Sequence, residues 1–205
     1  MVLGCAGLVA AHPGALVVTV TAGKPPAHPL TGWDLACGFA QGGDPIGARR
    51  REDEEALHAL GARPAWLDFL DRQYAGGSSP APAAVADAIE EVLARDGCDL
   101  VASPLGLQHP DHLATASVCF ELAGRLPAMR WLVYEDAIYR ADAGATDEAI
   151  RSLSQRGFAL EPVSVPSAGH KRAAIGCYAS QLRGLGDLVA DAYRPERYWT
   201  LVRQP

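Results

Sequence analysis

Three side chains able to move protons or hold a metal ion stand together in His109-Pro110-Asp111-His112. Imidazole titrates near neutral pH and is the commonest metal ligand, and a neighbouring carboxylate can orient it through its second ring nitrogen. The plain alternative is a polar helix start with a capping carboxylate, because a short motif recurs by chance.

The elements that must position this group can be read on either side of it. The apolar run Asp99-Leu-Val-Ala leads in, and Leu113-Ala-Thr-Ala-Ser-Val-Cys-Phe-Glu-Leu leads out. Strand followed by helix puts the cluster at the carboxyl end of a strand, where open α/β sheets keep their ligands. Pro110 suits the first helical turn, since its missing N–H would be unpaired there anyway.

Upstream, residues 2–11 predict a small-residue helix and Ala15–Ala22 a β-branched strand ending at Gly23. Residues 24–47, rich in proline and glycine, predict a long loop of the kind that carries function; its His28 and Trp33 read as loop contacts. Arg49–Gly61 predicts a helix closed by a glycine cap, and Pro64–Asp71 a strand with Asp68 and Asp71 near its exit. Ala83–Arg95 is an amphipathic helix pattern. Downstream come a strand over Arg130–Glu135 with Asp136 beyond it, a helix over Thr146–Arg156, a strand over Phe158–Val165 broken by Pro162, a helix over His170–Leu182, and a tail from Pro195. Alternating strands and helices predict one α/β domain over residues 1–205, Rossmann-like, with a mostly parallel sheet and helices on both faces.

Composition narrows the function classes. A net charge of −6 argues against a nucleic-acid binder, which needs a basic surface. No apolar run approaches the roughly 18 residues of a membrane span. Five dispersed cysteines without a Cys-x-x-Cys suggest neither a disulfide framework nor a thiolate zinc site, and fit a reducing cytoplasm.

Taken in order, several segments resemble the PIG-L / LmbE-like family of zinc-dependent N-deacetylases. They are Leu3-Gly-Cys-Ala-Gly7, Val17–Gly23, Arg49-Arg-Arg-Glu52, Pro104-Leu-Gly-Leu before His109-Pro-Asp-His112, Tyr134-Glu-Asp136, and Lys171-Arg-Ala-Ala with Tyr178-Ala-Ser-Gln181. The resemblance implies hydrolysis of an N-acetyl group on an amino sugar or related amine, with Zn2+ as cofactor. It implies His112 as metal ligand, His109 as oxyanion stabiliser or acid to the leaving amine, Asp111 as the residue orienting a neighbouring His, and Arg49 near the substrate. Asp136, with Asp68 and Asp71, is a strand-exit carboxylate that could meet substrate hydroxyls. Family members begin with a strand ending in Ala-His-Pro-Asp-Asp, which supplies two metal ligands and the general base. Residues 1–205 hold no such segment; Ala11-His12-Pro13-Gly14 follows the first helix and has no aspartate. The resemblance therefore implies a chain begun at an internal methionine and a sheet lacking its first central strand. A degenerate member acting as a small-molecule or sugar-binding module is the alternative. A nucleotide-binding domain fits less well without Gly-x-Gly-x-x-Gly. A homo-oligomer stays open.

Overall fold

The structure, a computed structural model, describes residues 1–27, 30–165 and 170–204. His28 lies outside them. In chain order the elements are α1 (Ala6–Ala10), β1 (Leu16–Thr19), α2 (Gly32–Ala36), α3 (Pro45–Ala59), β2 (Arg63–Trp66), α4 (Pro82–Asp96), β3 (Leu100–Pro104), α5 (Pro110–Arg125) and β4 (Arg130–Tyr134). A 3-10 turn at Tyr139–Ala141 precedes α6 (Ala145–Gln155) and β5 (Phe158–Val163); α7 (Lys171–Gly176), α8 (Ala179–Leu185), α9 (Val189–Ala192) and β6 (Tyr198–Arg203) complete the order. They gather into two compact units, Met1–Ser79 with Val165–Arg194, and Pro80–Ser164 with Pro195–Pro205. The first crossing point falls in the Gly/Ser/Pro-rich stretch Gly76-Gly-Ser-Ser-Pro-Ala-Pro82.

In the first unit, β1 and β2 pair in parallel from Leu16↔Arg63 to Thr19↔Trp66. Both strands are shorter than their β-prone runs suggest, because beyond Thr19 and Trp66 the segments part and meet again only at the Thr21–Asp68 bridge. Gly23 permits that approach: a Cβ there would lie 2.4 Å from the Asp68 carbonyl oxygen. Helix α3 starts where Asp44 accepts the Gly47 N–H at 2.8 Å, with Pro45 in its first turn. Helices α1 and α3 pack on α7, burying Ala6, Ala56, Leu57, Ala174 and Ile175 completely. The single helix expected over His170–Leu182 is two. The chain leaves helical geometry at Tyr178 (φ −84, ψ 49), whose buried ring delivers its hydroxyl to Asp53 at 2.8 Å.

The second unit is built on a four-stranded sheet in the order β3-β4-β6-β5. Strands β3 and β4 are parallel, whereas β6 runs antiparallel to both neighbours, so the mostly parallel sheet expected from the sequence is mixed. The reason is positional: the Glu135 N–H bonds to the Arg197 carbonyl at 3.1 Å, so β6 begins where β4 ends and must run back along it. Pro162 does not break β5, because β5 is the edge strand and a missing N–H costs no ladder bond on the outer side. Among the described residues β1 pairs only with β2 and β3 only with β4. No helix among the described residues is long and apolar enough to cross a membrane.

Two features of this unit fix the turns after β3 and β4. Gly106 holds φ +84, its N–H donates to Asp136 Oδ2 at 2.8 Å, and a Cβ there would meet the Ala116 Cβ at 2.6 Å. Glu135 is buried and accepts from Thr146 Oγ1 at 2.8 Å, Arg197 Nε at 2.8 Å and Arg140 Nη1 at 3.3 Å. Burial alone would raise its pKa, but the Arg197 and Thr146 hydrogen bonds and the charges of Arg197 and Arg140 outweigh it and hold the carboxyl below its ordinary range.

Gly106→Ala is expected to lose about 2 kcal/mol, from a strained left-handed alanine and an overpacked Ala116 contact; denaturant unfolding checks it. Glu135→Gln is expected to cost on the order of 2 kcal/mol, at the low end for a broken buried pair because Arg197 is 58% exposed and water screens it. Since the folded-state pKa of Glu135 is lowered, its stabilisation is present above the ordinary carboxylate range and lost as pH falls through the folded value. The difference in stability between wild type and Glu135→Gln should therefore shrink below about pH 4.

Candidate functional site

The second unit brings the His-Pro-Asp-His segment against the turn after β4. His109 is the N-cap of α5, and its Nδ1 accepts the Asp111 backbone N–H at 3.2 Å. The cap is thus an imidazole rather than the carboxylate. An Nδ1 that accepts places the proton of neutral His109 on Nε2, which becomes a donor. His112, one turn along, is bonded through Nδ1 to Asp136 Oδ1. Because a carboxylate accepts, His112 carries its proton on Nδ1 and presents Nε2 as a lone pair. The two ring centroids are 5.4 Å apart, and Tyr139 lies 5.0 Å from His112 and 5.7 Å from His109.

Asp136 stands just beyond the end of β4, the strand exit expected for it. Its side chain is fully buried, and its two oxygens are taken by the Gly106 N–H and by His112. Through Oδ1 it orients the His112 imidazole. Asp111, also buried, contributes its backbone N–H to His109 in the first turn of α5.

Backbone strain collects in the same two turns. Among the described residues, Gln108 (φ 51) and Ile138 (φ 68) are the non-glycine residues with positive φ. Gln108 sits inside the tight turn that bonds the His109 N–H to the Leu107 carbonyl, and Ile138 separates Ala137 from Tyr139. A β-branched residue in this region is a genuine outlier, and such strain persists only where the surroundings enforce it.

The first unit holds a separate cavity of about 130 Å³, lined among others by Trp33, Arg49, Arg50, Asp53, Trp66, Asp71, Tyr178 and Gln181. Arg49 lies in the body of α3. Its side chain is 16% exposed, Nη2 bonds to Asp34 at 2.6 Å, and Nε is buried without a hydrogen-bond partner. Asp34 is completely buried; burial would raise its pKa, but bonds from Thr31 and Tyr74 and the Arg49 charge hold it below the carboxylate range. Burial, then the bond to Asp34, pushes the Tyr74 phenol up, so Tyr74 stays a neutral donor. Thr31 and Asp34 form a capping box on α2, a Thr-x-x-Asp signal that was legible in the loop.

The other resembling segments of this unit serve one another. Glu52 accepts from Ser180 N and Oγ, both at 2.7 Å, Asp53 from Tyr178 and Trp66, and Gln181 from Trp33 Nε1 at 3.3 Å. Asp68 is 90% exposed and pairs with Arg50, while Asp71 accepts from Gln73 N and Nε2. His12, at the end of α1, donates Nδ1 to the Leu8 carbonyl at 2.9 Å.

A catalytic zinc asks for about three protein ligands. Among the described residues no group of three or more His, Cys, Asp or Glu side chains is placed to hold a metal ion. Asp136 already bonds through its two oxygens to Gly106 and His112. The described donors do not fit a zinc ion.

No family profile and no curated protein matches the chain. Solved structures do. The A40926 pseudoaglycone deacetylase is 24% identical, with 100% of this chain and 93% of that chain covered at a TM-score of 0.74. A triple mutant of a deacetylase of the teicoplanin biosynthetic pathway is 25% identical, with 99% and 93% covered at 0.77. A zinc-inhibited form of teicoplanin deacetylase is 22% identical, with 99% and 94% covered at 0.77. This chain therefore carries the fold of those deacetylases, the fold of the PIG-L / LmbE-like proteins that its ordered motifs resemble.

Proposed function

We propose that this chain is an N-acyl hydrolase that removes an acetyl group from an amino sugar or a related amine. The observation that carries the reading is the pair of imidazoles with opposite hydrogen-bonding sense, set by Asp111 N–H on one side and Asp136 on the other. The deacetylases that share the fold support it.

Amide hydrolysis needs a donor for the carbonyl oxygen, whose charge grows as water adds, and a group that takes the water proton and returns it to the amine. His109 Nε2–H is suited to the oxygen. His112 Nε2 is suited to the proton, because the buried Asp136 carboxylate stabilises the imidazolium that forms. The resemblance implies zinc as the agent that would polarise the carbonyl. The described donors do not fit a zinc ion.

That same shortage of donors favours a second reading, a sugar-binding module without turnover. Free amine released from N-acetyl-D-glucosamine, measured with zinc content before and after zinc addition, separates the two. The hydrolase reading expects amine release, with His112→Ala and His109→Ala each lowering kcat about 100-fold or more. Calorimetric binding of the sugar with no amine from any form would support the module instead. Unchanged kcat in both variants would remove the imidazole pair from the mechanism.

A further inference from the structure

We propose that Tyr139 is a positioning residue that fixes the ring planes of His109 and His112. This rests on the reading that the imidazole pair is the reacting end of the site.

A single hydrogen bond fixes a point on an imidazole, not its tilt. His112 is held at Nδ1 by Asp136, and its 41% exposed side chain leaves the far edge of the ring to swing about that bond. His109 is held at Nδ1 by a 3.2 Å contact from a backbone N–H. Tyr139 supplies a second constraint on His112 and packs against His109 as well. Its ring stands edge-to-face on His112, with 76° between planes, and lies tilted by 40° against His109. The edge-to-face arrangement is the one aromatic pairs prefer, because the positive edge of one ring meets the negative face of the other. Three rings with centroids 5.0–5.7 Å apart restrict one another in a way that neither hydrogen bond achieves.

The backbone is arranged to deliver this ring. Ile138 is held at φ 68, ψ −44, a costly conformation for a β-branched residue, in the position just before Tyr139. The residues around it enforce that turn. Ala137 and Ile138 are buried, the Arg140 N–H bonds to the Asp136 carbonyl at 3.2 Å, and the Arg140 guanidinium is tied to Glu135 and to the Pro195 carbonyl at 2.8 Å. Strain enforced from several sides marks a residue whose placement matters.

The test compares Tyr139→Phe, which keeps the ring, with Tyr139→Leu, which keeps apolar bulk without it. The first readout is the exchange-protected Nδ1–H proton resonance of His112 in the NMR spectrum, which needs no turnover. It should persist in wild type and Tyr139→Phe and broaden away in Tyr139→Leu, while backbone amide signals of β3 and β4 stay in place. The second is amine release from N-acetyl-D-glucosamine. Here kcat should fall about 10- to 100-fold in Tyr139→Leu with KM within about twofold, and Phe should restore it. Persistence of the His112 signal in Tyr139→Leu, or a Phe variant as impaired as the Leu variant, would overturn the proposal. If wild type releases no amine, the hydrolase reading falls, and the His112 signal alone decides the part played by Tyr139.

Discussion

A carboxylate taken fully out of water must be met by donors, and in the second unit that requirement organises everything near it. Asp136 is met by the Gly106 backbone on one oxygen and by His112 on the other. The first bond demands a residue without a Cβ, held at positive φ and pressed against Ala116. The second fixes the protonation pattern of His112 and turns its remaining lone pair outward. One buried charge therefore ties the loop after β3, the first turns of α5 and the exit of β4 into a single geometry. Glu135, one residue earlier, anchors the same exit from behind through Thr146, Arg140 and Arg197.

The first unit uses the same physics for a different purpose. Asp34 and Asp53 are buried carboxylates, and each gathers side chains from separate segments: Arg49, Tyr74 and Thr31 around one, Tyr178, Trp66 and Thr19 around the other. Removing one partner of such a group exposes a buried charge to an apolar interior, a far larger penalty than the net value of the bond. The Arg-Arg-Glu and Tyr-Ala-Ser-Gln segments look like site motifs in the sequence. Glu52 accepts from Ser180 N and Oγ, and Tyr178 donates to Asp53, so residues of the two segments are joined to each other or to their neighbours. Arg49 differs from these in keeping a buried Nε–H that the protein does not satisfy at the edge of a cavity.

The fold of this chain is that of the A40926 pseudoaglycone deacetylase and of a deacetylase of the teicoplanin biosynthetic pathway, at sequence identities near one quarter. What persists at that distance is the fold. A donor set for a metal is a stricter demand, because about three ligands must converge on one point, and among the described residues no group of three does so.

The residues themselves settled the α/β class, the strand–turn–helix that carries His109 and His112, and the core faces, since hydrophobic period and glycine or proline punctuation are local signals. They also settled that His109 and His112 lie one turn apart on the same helix end. Which carboxylate serves His112 was decided by the tertiary structure: Asp111 is adjacent in sequence, but the helix turns it inward and the exit of β4 brings Asp136 to Nδ1 instead. Strand β6 and its direction were decided there too: the segment from Pro195 reads as a tail in the sequence, and it becomes a strand by pairing between β4 and β5. Tyr139 and Asp34 were likewise placed by long-range packing. Periodicity reports which face of an element is buried, whereas a pairing between residues tens of positions apart exists only once the chain has closed on itself.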